Sequence, residues 1–273
     1  MTKRKRTLLF FTCFAFFLVA SPAIILYSQG YRLNFQEQKI VQVGAFYFKV
    51  LPSSADIYLN GKLKDSTNFF VNSSLIKSLL PDEYKIEAKK NSYHSWQKTL
   101  EIKEKQVTEA KNIILFPKEP EFEVFSTTTK EINNTILKIT KEKRIIKEEL
   151  PSGISSSGVS LSPDEKKIAF ASSSELLVVF LKNQWEAPEK KAGDEVLISN
   201  YVAKINDIFW LNNSYLIFSV RDKIKVAEID DRDQINIIDL AEFKSPKIFW
   251  DETNQKFYVL SENILYLLEN LIP

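Results

Sequence analysis

The chain has 273 residues, 44% of them hydrophobic, with 37 basic and 35 acidic side chains and a formal net charge of +2. That length holds an anchor plus one or two packed domains. Lys3, Arg4, Lys5 and Arg6 alone exceed the net charge, so the rest is near neutral or slightly acidic. This argues against nucleic acid as a partner, because binding phosphate needs a concentrated basic surface.

Residues 1–6 form a basic tail. Residues 7–27 read TLLFFTCFAFFLVASPAIILY, without one charge. At about 1.5 Å per residue a helix of that length spans roughly 30 Å, the thickness of a hydrocarbon core. The pattern predicts a single-pass signal-anchor, a transmembrane helix with the basic block held in the cytoplasm by the positive-inside rule. Everything from Ser28 on is then extracytoplasmic. The rival reading is a cleaved signal peptide, whose apolar region is about 7–15 residues and ends in a small-residue site. Ser21-Pro22-Ala23 is a poor version of that site, and the apolar run continues through Ile24, Ile25 and Leu26. Pro22 removes one backbone donor and favours a kink. Cys13 is the only cysteine; it reads as an apolar filler, and an intrachain disulfide is excluded.

Residues 28–43 read as a polar spacer, extended or irregular. Over residues 44–117 the pattern is two-periodic. Phe46, Phe48 and Val50 alternate with Tyr47 and Lys49, and Ala55, Ile57 and Leu59 with Asp56, Tyr58 and Asn60. Such alternation marks strands with one buried face. Asn60-Gly61 is a tight-turn signal. Further strands are expected at 84–89, 96–102 and 112–116, giving a small antiparallel β-sandwich.

Here the residues resemble a known family. Val50-Leu51-Pro52-Ser53-Ser54-Ala55-Asp56-Ile57-Tyr58-Leu59-Asn60-Gly61-Lys62 is similar to the start of a PEGA domain, which opens on a Pro-Glu-Gly-Ala tetrad before a strand and an Asn-Gly or Asp-Gly turn. Leu80-Pro81-Asp82-Glu83-Tyr84 resembles the family's Leu-Pro-Gly-x-Tyr, and Ser92-Tyr93-His94-Ser95-Trp96 its Gly-Tyr-x-x-Trp. Ser53-Ser54 stands for Glu-Gly, Asp82 and Ser92 each for glycine, and Thr67-Asn68 for the common Thr-Pro. The resemblance implies a non-enzymatic, envelope-exposed β-sandwich of bacterial surface proteins, without a defined ligand.

Residues 118–120, with Pro117 before them, read as a linker. Beyond it, over residues 121–273, strand-turn-strand units recur from Gly158, Ile208 and Ile248. Ser162, Leu211 and Asp251 hold similar places, 49 and 40 residues apart. A period near 40–45 residues predicts propeller-like β-meander repeats, three to four blades in this length, as a ring, an open array or an incomplete unit. Ser162-Pro163-Asp164-Glu165-Lys166-Lys167-Ile168-Ala169-Phe170 resembles the Ser-Pro-Asp-Gly-x-x-Ile-Ala-Phe motif of TolB-type and WD40-like propellers, with Glu165 in place of glycine. The fold class is therefore mainly β behind one N-terminal transmembrane helix.

Catalytic chemistry finds little support. A metal site or a Ser/His/Asp triad would have to use His94, the only histidine, which reads as an exposed turn residue. Ser74-Leu75-Ile76-Lys77 and Ser95-Trp96-Gln97-Lys98 fit Ser-x-x-Lys but lack the companion triplets of penicillin-binding enzymes. No phosphate cradle of the Gly-rich types is present. Asp230-Asp231-Arg232-Asp233 lacks the glycine and distal glutamate of a calcium loop and reads as a solvated turn. Asn133-Asn134-Thr135 and Asn212-Asn213-Ser214 match a glycan-acceptor pattern, which matters only in a glycosylating host. Trp210 and Trp250, at matching places in two repeats, read first as packing between blades and second as a ligand-stacking platform for sugar or peptide. No catalytic, metal or cofactor-binding residue is expected.

The sequence thus points to a non-enzymatic, membrane-anchored envelope protein, tethered through residues 7–27. It would act as an extracytoplasmic scaffold or binding module for a cell-wall or surface-layer polymer or a protein partner. The alternatives are a glycan-active or other hydrolytic propeller, needing two carboxyl groups about 5–9 Å apart, and the ectodomain of a signalling complex.

Overall fold

The computed structural model describes residues 3–35, 38–68, 70–142, 159–171, 175–201 and 203–272. Helix α1, Lys3–Ser28, takes in the basic block and the whole uncharged run, and none of its 26 residues is buried. Its length, about 39 Å, and its composition suffice to cross a membrane.

The segment expected to be an irregular spacer is instead a hairpin. Strand β1, Tyr31–Asn34, pairs antiparallel with β2, Lys39–Gln42. Its open end is tied to the helix: Val43 N donates to Gly30 O (3.0 Å), and Arg32 Nη1 to Tyr27 O (2.8 Å). The last carbonyls of a helix have no intrahelical partner and carry negative dipole charge, so an arginine beside them is stabilising. The Arg32 guanidinium also lies over the Tyr27 ring, 3.5 Å from its centroid. Local capping of this kind has no periodic signature, which is why the stretch reads as a spacer.

Seven strands follow: β3 Gly44–Leu51, β4 Asp56–Leu59, β5 Lys62–Ser66, β6 Ser73–Leu79, β7 Asp82–Lys89, β8 Trp96–Ile102 and β9 Val107–Ile114. They form two facing sheets, ordered β6-β3-β9 and β5-β4-β7-β8. Phe46, Phe48 and Val50 meet Ile57, Leu59, Ile86, Trp96 and Ile102 in a buried core, as the alternation predicts. Each such side chain contributes about 1.5–3 kcal/mol by leaving water. The sandwich is not wholly antiparallel, however: β9 runs parallel to β3. A parallel neighbour needs a long crossover, and here the entire second sheet lies between the two strands in sequence. Gly44 allows the crossover to close, because a Cβ there would lie 2.6 Å from Ile102 Cγ2 and 2.7 Å from Lys103 O. Ser54 and Ser92, which stand where the resembled motifs have glycine, both keep the left-handed backbone, at φ +61° and +66°.

Strand β10, Glu123–Ser126, leads into helix α2, Thr129–Glu142, in a region expected to be all β. Ile132, Ile136 and Ile139 recur at helical spacing, and Ile132 and Ile139 are buried. Then come three four-stranded antiparallel sheets. The first is β11 Val159–Leu161, β12 Lys167–Ala171, β13 Glu175–Phe180 and β14 Glu195–Asn200. The second is β15 Ile205–Trp210, β16 Tyr215–Val220, β17 Lys223–Glu228 and β18 Ile237–Glu242. The third is β19 Lys247–Asp251, β20 Lys256–Ser261 and β21 Ile264–Glu269, completed at its outer edge by β10 from before the first sheet. Gly158, on which the first repeat opens, lies outside the described residues.

The sheets pack face on face. Leu176, Val178 and Phe180 of the first meet Trp210, Leu216 and Phe218 of the second. Ile217, Ile224 and Val226 of the second meet Ile248, Trp250, Phe257 and Val259 of the third. The other face of the third sheet, with Tyr258, Leu265 and Leu267, is covered by Ile132 and Ile139 of α2. A sheet needs its apolar face covered, and here a helix supplies what another sheet would. Glu165, the substitute for a motif glycine between β11 and β12, has φ +55°.

Candidate functional site

The sandwich and the three-sheet body meet at a polar joint. Strand β8 is an edge strand, and edge strands leave backbone groups unpaired. The loop joining β17 to β18 covers it. Asn236 Nδ2 donates to Gln97 O (3.0 Å), Gln97 N to Asn236 Oδ1 (3.2 Å), and Thr99 N to Asp233 Oδ2 (2.6 Å). Beneath these lies an ion pair, Lys98 Nζ to Glu228 Oε1 at 2.5 Å, with side chains 0% and 5% exposed. The ammonium also donates to Asp230 O and Gln234 O, each at 2.8 Å, so its three donors are used. Glu228 accepts further bonds from Trp96 Nε1 (2.7 Å) and Asn236 Nδ2 (2.7 Å). Burial pushes the Glu228 carboxyl above the usual range, while Lys98, Asn236 and Trp96 pull it back.

The acidic turn expected to be solvated is therefore part of this joint. Asp230 forks onto Arg232, whose Nη1 donates to Glu109 O (2.9 Å), and Asp231 pairs with Lys190 (2.6 Å). The stretch expected to be a linker is pinned as well. Phe116 is buried among side chains of the second and third sheets, Pro117 bridges to Tyr93, and Lys118 N donates to Ser92 O (3.0 Å). His94 is not an exposed turn residue: Nε2 is buried, and burial lowers its pKa.

Above the joint opens a cleft of about 490 Å³. Its floor holds Trp96, Tyr215 and Glu228; its walls carry Lys111, Arg232, Asp164, Glu186 and the amides of Asn112, Asn183, Gln184 and Asn213. Trp185, on the loop between β13 and β14, stands at its rim with 78% of its surface exposed. The loop is braced: Gln184 and Lys190 exchange backbone bonds, and Ala192 N donates to Asn183 Oδ1 (2.9 Å). A braced, solvent-facing indole beside amides and both signs of charge can stack a ring and hydrogen-bond polar substituents. No repeat or periodicity marks Trp185. Its signal is a tryptophan in a polar stretch, Asn183-Gln184-Trp185-Glu186, where apolar packing has no use for it.

Trp210 and Trp250 end up at matching places on β15 and β19, and both line a second cavity of about 610 Å³ that runs beside β11, β15 and β19. Among the described residues, four carboxylates line it, Glu165, Asp207, Asp251 and Glu252, with no lysine or arginine. The two rings are only 3% and 6% exposed, wedged between successive sheets. Trp210 Nε1 donates to Ser160 O at 2.9 Å, tying the second sheet to the first, whereas Trp250 Nε1 is buried without a hydrogen bond.

The remaining motifs have structural employment. Ser74 Oγ donates to Asp65, and Lys98 serves the joint, so neither Ser-x-x-Lys pair meets; residues three apart on a strand face opposite ways. Asn212 Oδ1 accepts from Ser214 N and Tyr215 N in the β15–β16 turn, and Asn213 Oδ1 from Asp164 N. Cys13 is exposed on α1. Among the described residues no group of three His, Cys, Asp or Glu side chains is placed to hold a metal ion.

No family model matches the chain, and no curated protein does. Among solved structures it is similar to the β-propeller domain of Cps50 (Swd1) from Myceliophteria thermophila, at TM-score 0.28 and 10% identity over 71% of this chain and 66% of that one. It is also similar to a membrane-associated protein of unknown function from Bacteroides fragilis (TM-score 0.22, 8% identity, 83% and 94% covered). A third likeness is to a DUF3823 family protein from Bacteroides ovatus (TM-score 0.20, 13% identity, 73% and 100% covered). The chain spans just under two thirds of the first of these, and at such TM-scores none of them bears on family or function.

Proposed function

We propose that the protein is a non-enzymatic binding module of a bacterial cell envelope, held on the membrane by α1 with its β-rich part on the extracytoplasmic side. One observation carries the tether: the uncharged run of α1 has no buried side chain, and lipid is the solvent that such an apolar surface needs. The Lys3–Arg6 block favours the cytoplasmic side for the N-terminus. On this reading the sandwich is of PEGA type, with Ser54 and Ser92 keeping the glycine conformation of its turns. The three sheets are blades of an incomplete propeller whose open side is capped by α2.

The binding surface in this reading is the Trp185 cleft, and its chemistry suits a polar polymer with sugar rings, such as cell-wall glycan. The full-length protein in detergent is expected to co-sediment with purified insoluble cell-wall sacculi. Trp185→Ala should weaken that retention about tenfold, the worth of one aromatic contact near 1.4 kcal/mol. Equal retention of the variant, or none of the wild type, contradicts the assignment. For orientation, protease added to spheroplasts should digest the β-rich part and spare the Lys3–Arg6 end.

A further inference from the structure

The β1–β2 hairpin leaves an apolar surface uncovered. Leu33 and Ile40 are cross-strand partners and so share one face, where they are 58% and 60% exposed. Phe35, just past β1, is 84% exposed. The opposite face turns inward, with Asn34 and Val41 buried. A soluble hairpin of this size would keep its apolar side chains inward; this one buries Val41 but leaves Leu33 and Ile40 outside.

From these placements we infer that the hairpin is a membrane-interface element, with Leu33, Phe35 and Ile40 seated in the lipid headgroup boundary beside α1. The inference rests on α1 spanning the membrane. The hairpin begins three residues after α1 ends and is fastened there by the Val43–Gly30 and Arg32–Tyr27 bonds, and by Gln42 Nε2 donating to Gln29 O (3.2 Å). Its four-residue strands reach about 13 Å, so these apolar residues stay close to the helix end. The headgroup zone itself extends several ångströms beyond the hydrocarbon. Tyr27 and Tyr31 flank the junction, where ring systems with a polar tip prefer to sit. Exposed Val71, by contrast, lies at the far end of β3, next to Asn72, whose carbonyl accepts from Val50 N (2.8 Å). Eight residues of β3, about 27 Å, separate that end from the hairpin. Seating the hairpin in the interface restrains how the β-rich body leans on its anchor.

The test is spin-label accessibility on the full chain in lipid vesicles, in a Cys13→Ala background, with single labels at Phe35→Cys, Ile40→Cys, Val71→Cys and Phe16→Cys. Labels at 35 and 40 should be relaxed by lipid-soluble oxygen and shielded from an aqueous nickel chelate, like the label at 16 and opposite to that at 71. Nickel access at 35 and 40 with a lipid signature at 16 overturns the hairpin's role and leaves the anchor standing. Shielding from both reagents at 35 and 40 also overturns it, since it marks a second copy or another protein on this face. Nickel access at 16 removes the anchor on which the inference rests.

Discussion

The contacts between successive sheets are mainly apolar, whereas the joint between the sandwich and the sheets adds a buried polar network to the apolar packing of Ile114 and Phe116. Between sheets, Phe218, Leu216 and Val178 or Phe257, Val259 and Ile217 interdigitate with few polar groups. Such packing is non-directional and tolerant of small slides. At the joint, Lys98, Glu228, Trp96, Asn236 and Asp233 meet at fixed angles and distances. A buried ion pair is weak support for stability, because desolvation consumes much of the Coulomb attraction. Its consequence here is orientation: the directional bonds hold the sandwich in the arrangement in which Trp96 and Lys111 line the cleft together with Trp185.

The largest expected effect breaks the joint. Glu228→Ala leaves the Lys98 ammonium buried without a counter-charge and should cost about 3–5 kcal/mol by denaturant unfolding. The paired change Lys98→Met with Glu228→Leu should recover most of that loss. If the double variant is no better than the single one, the pair is not what couples the two bodies.

The two tryptophans sharpen the contrast within the sheets. Both Trp210→Phe and Trp250→Phe shrink a wedge between sheets. Only the first also strips Ser160 O of its donor, so it should be the worse by about 1 kcal/mol or more. Equal losses would mean that the Trp210 bond contributes nothing.

Asp164 gives an effect of the same order. Burial raises its pKa, but hydrogen bonds from Ser162 and from Lys167, a nearly fully buried lysine, more than offset that, and the carboxyl is held below its usual value. A depressed carboxyl pKa stabilises the fold above the unfolded value, near 3.9, and that contribution is lost as pH falls through the lower folded value. Asp164→Asn should therefore cost about 2 kcal/mol at neutral pH. The difference from wild type should shrink as the pH drops below about 4. A difference independent of pH would assign the role of Asp164 to packing.

The smallest effect is a gain. Ser92 holds a left-handed conformation at φ +66°, which glycine adopts without the Cβ penalty. Ser92→Gly should change stability by at most about +1 kcal/mol, the strain relieved being partly cancelled by the freer unfolded chain. A clear loss would show that the serine side chain, and not the backbone, is what the position uses.

What could be read from the residues follows the same division. The apolar helix, the inward alternation of Phe46, Phe48 and Val50, and the strand-turn-strand units around Ser162, Leu211 and Asp251 are legible because burial writes a period into the chain. Glycine-type turns at Ser54, Ser92 and Glu165 were visible only through resemblance, since nothing in a serine or glutamate announces a positive φ. Helix α2 does not stand out although Ile132, Ile136 and Ile139 have helical spacing, because the sandwich before it and the repeats after it favour strands. The joint left no trace: Lys98 and Glu228 are 130 residues apart, and each looks like an ordinary surface charge in its own strand. The cleft depends on that joint, so Trp185 could not be placed beside Arg232 and Asn213 from the sequence alone.

The most direct measurement is chemical unfolding of the full-length wild type in detergent, followed at once by intrinsic tryptophan fluorescence and by backbone circular dichroism. The joint predicts coincident transitions for wild type, and two separated transitions once Glu228→Ala uncouples the sandwich from the sheets. Two separated transitions already in the wild type would contradict the claim that they form one body.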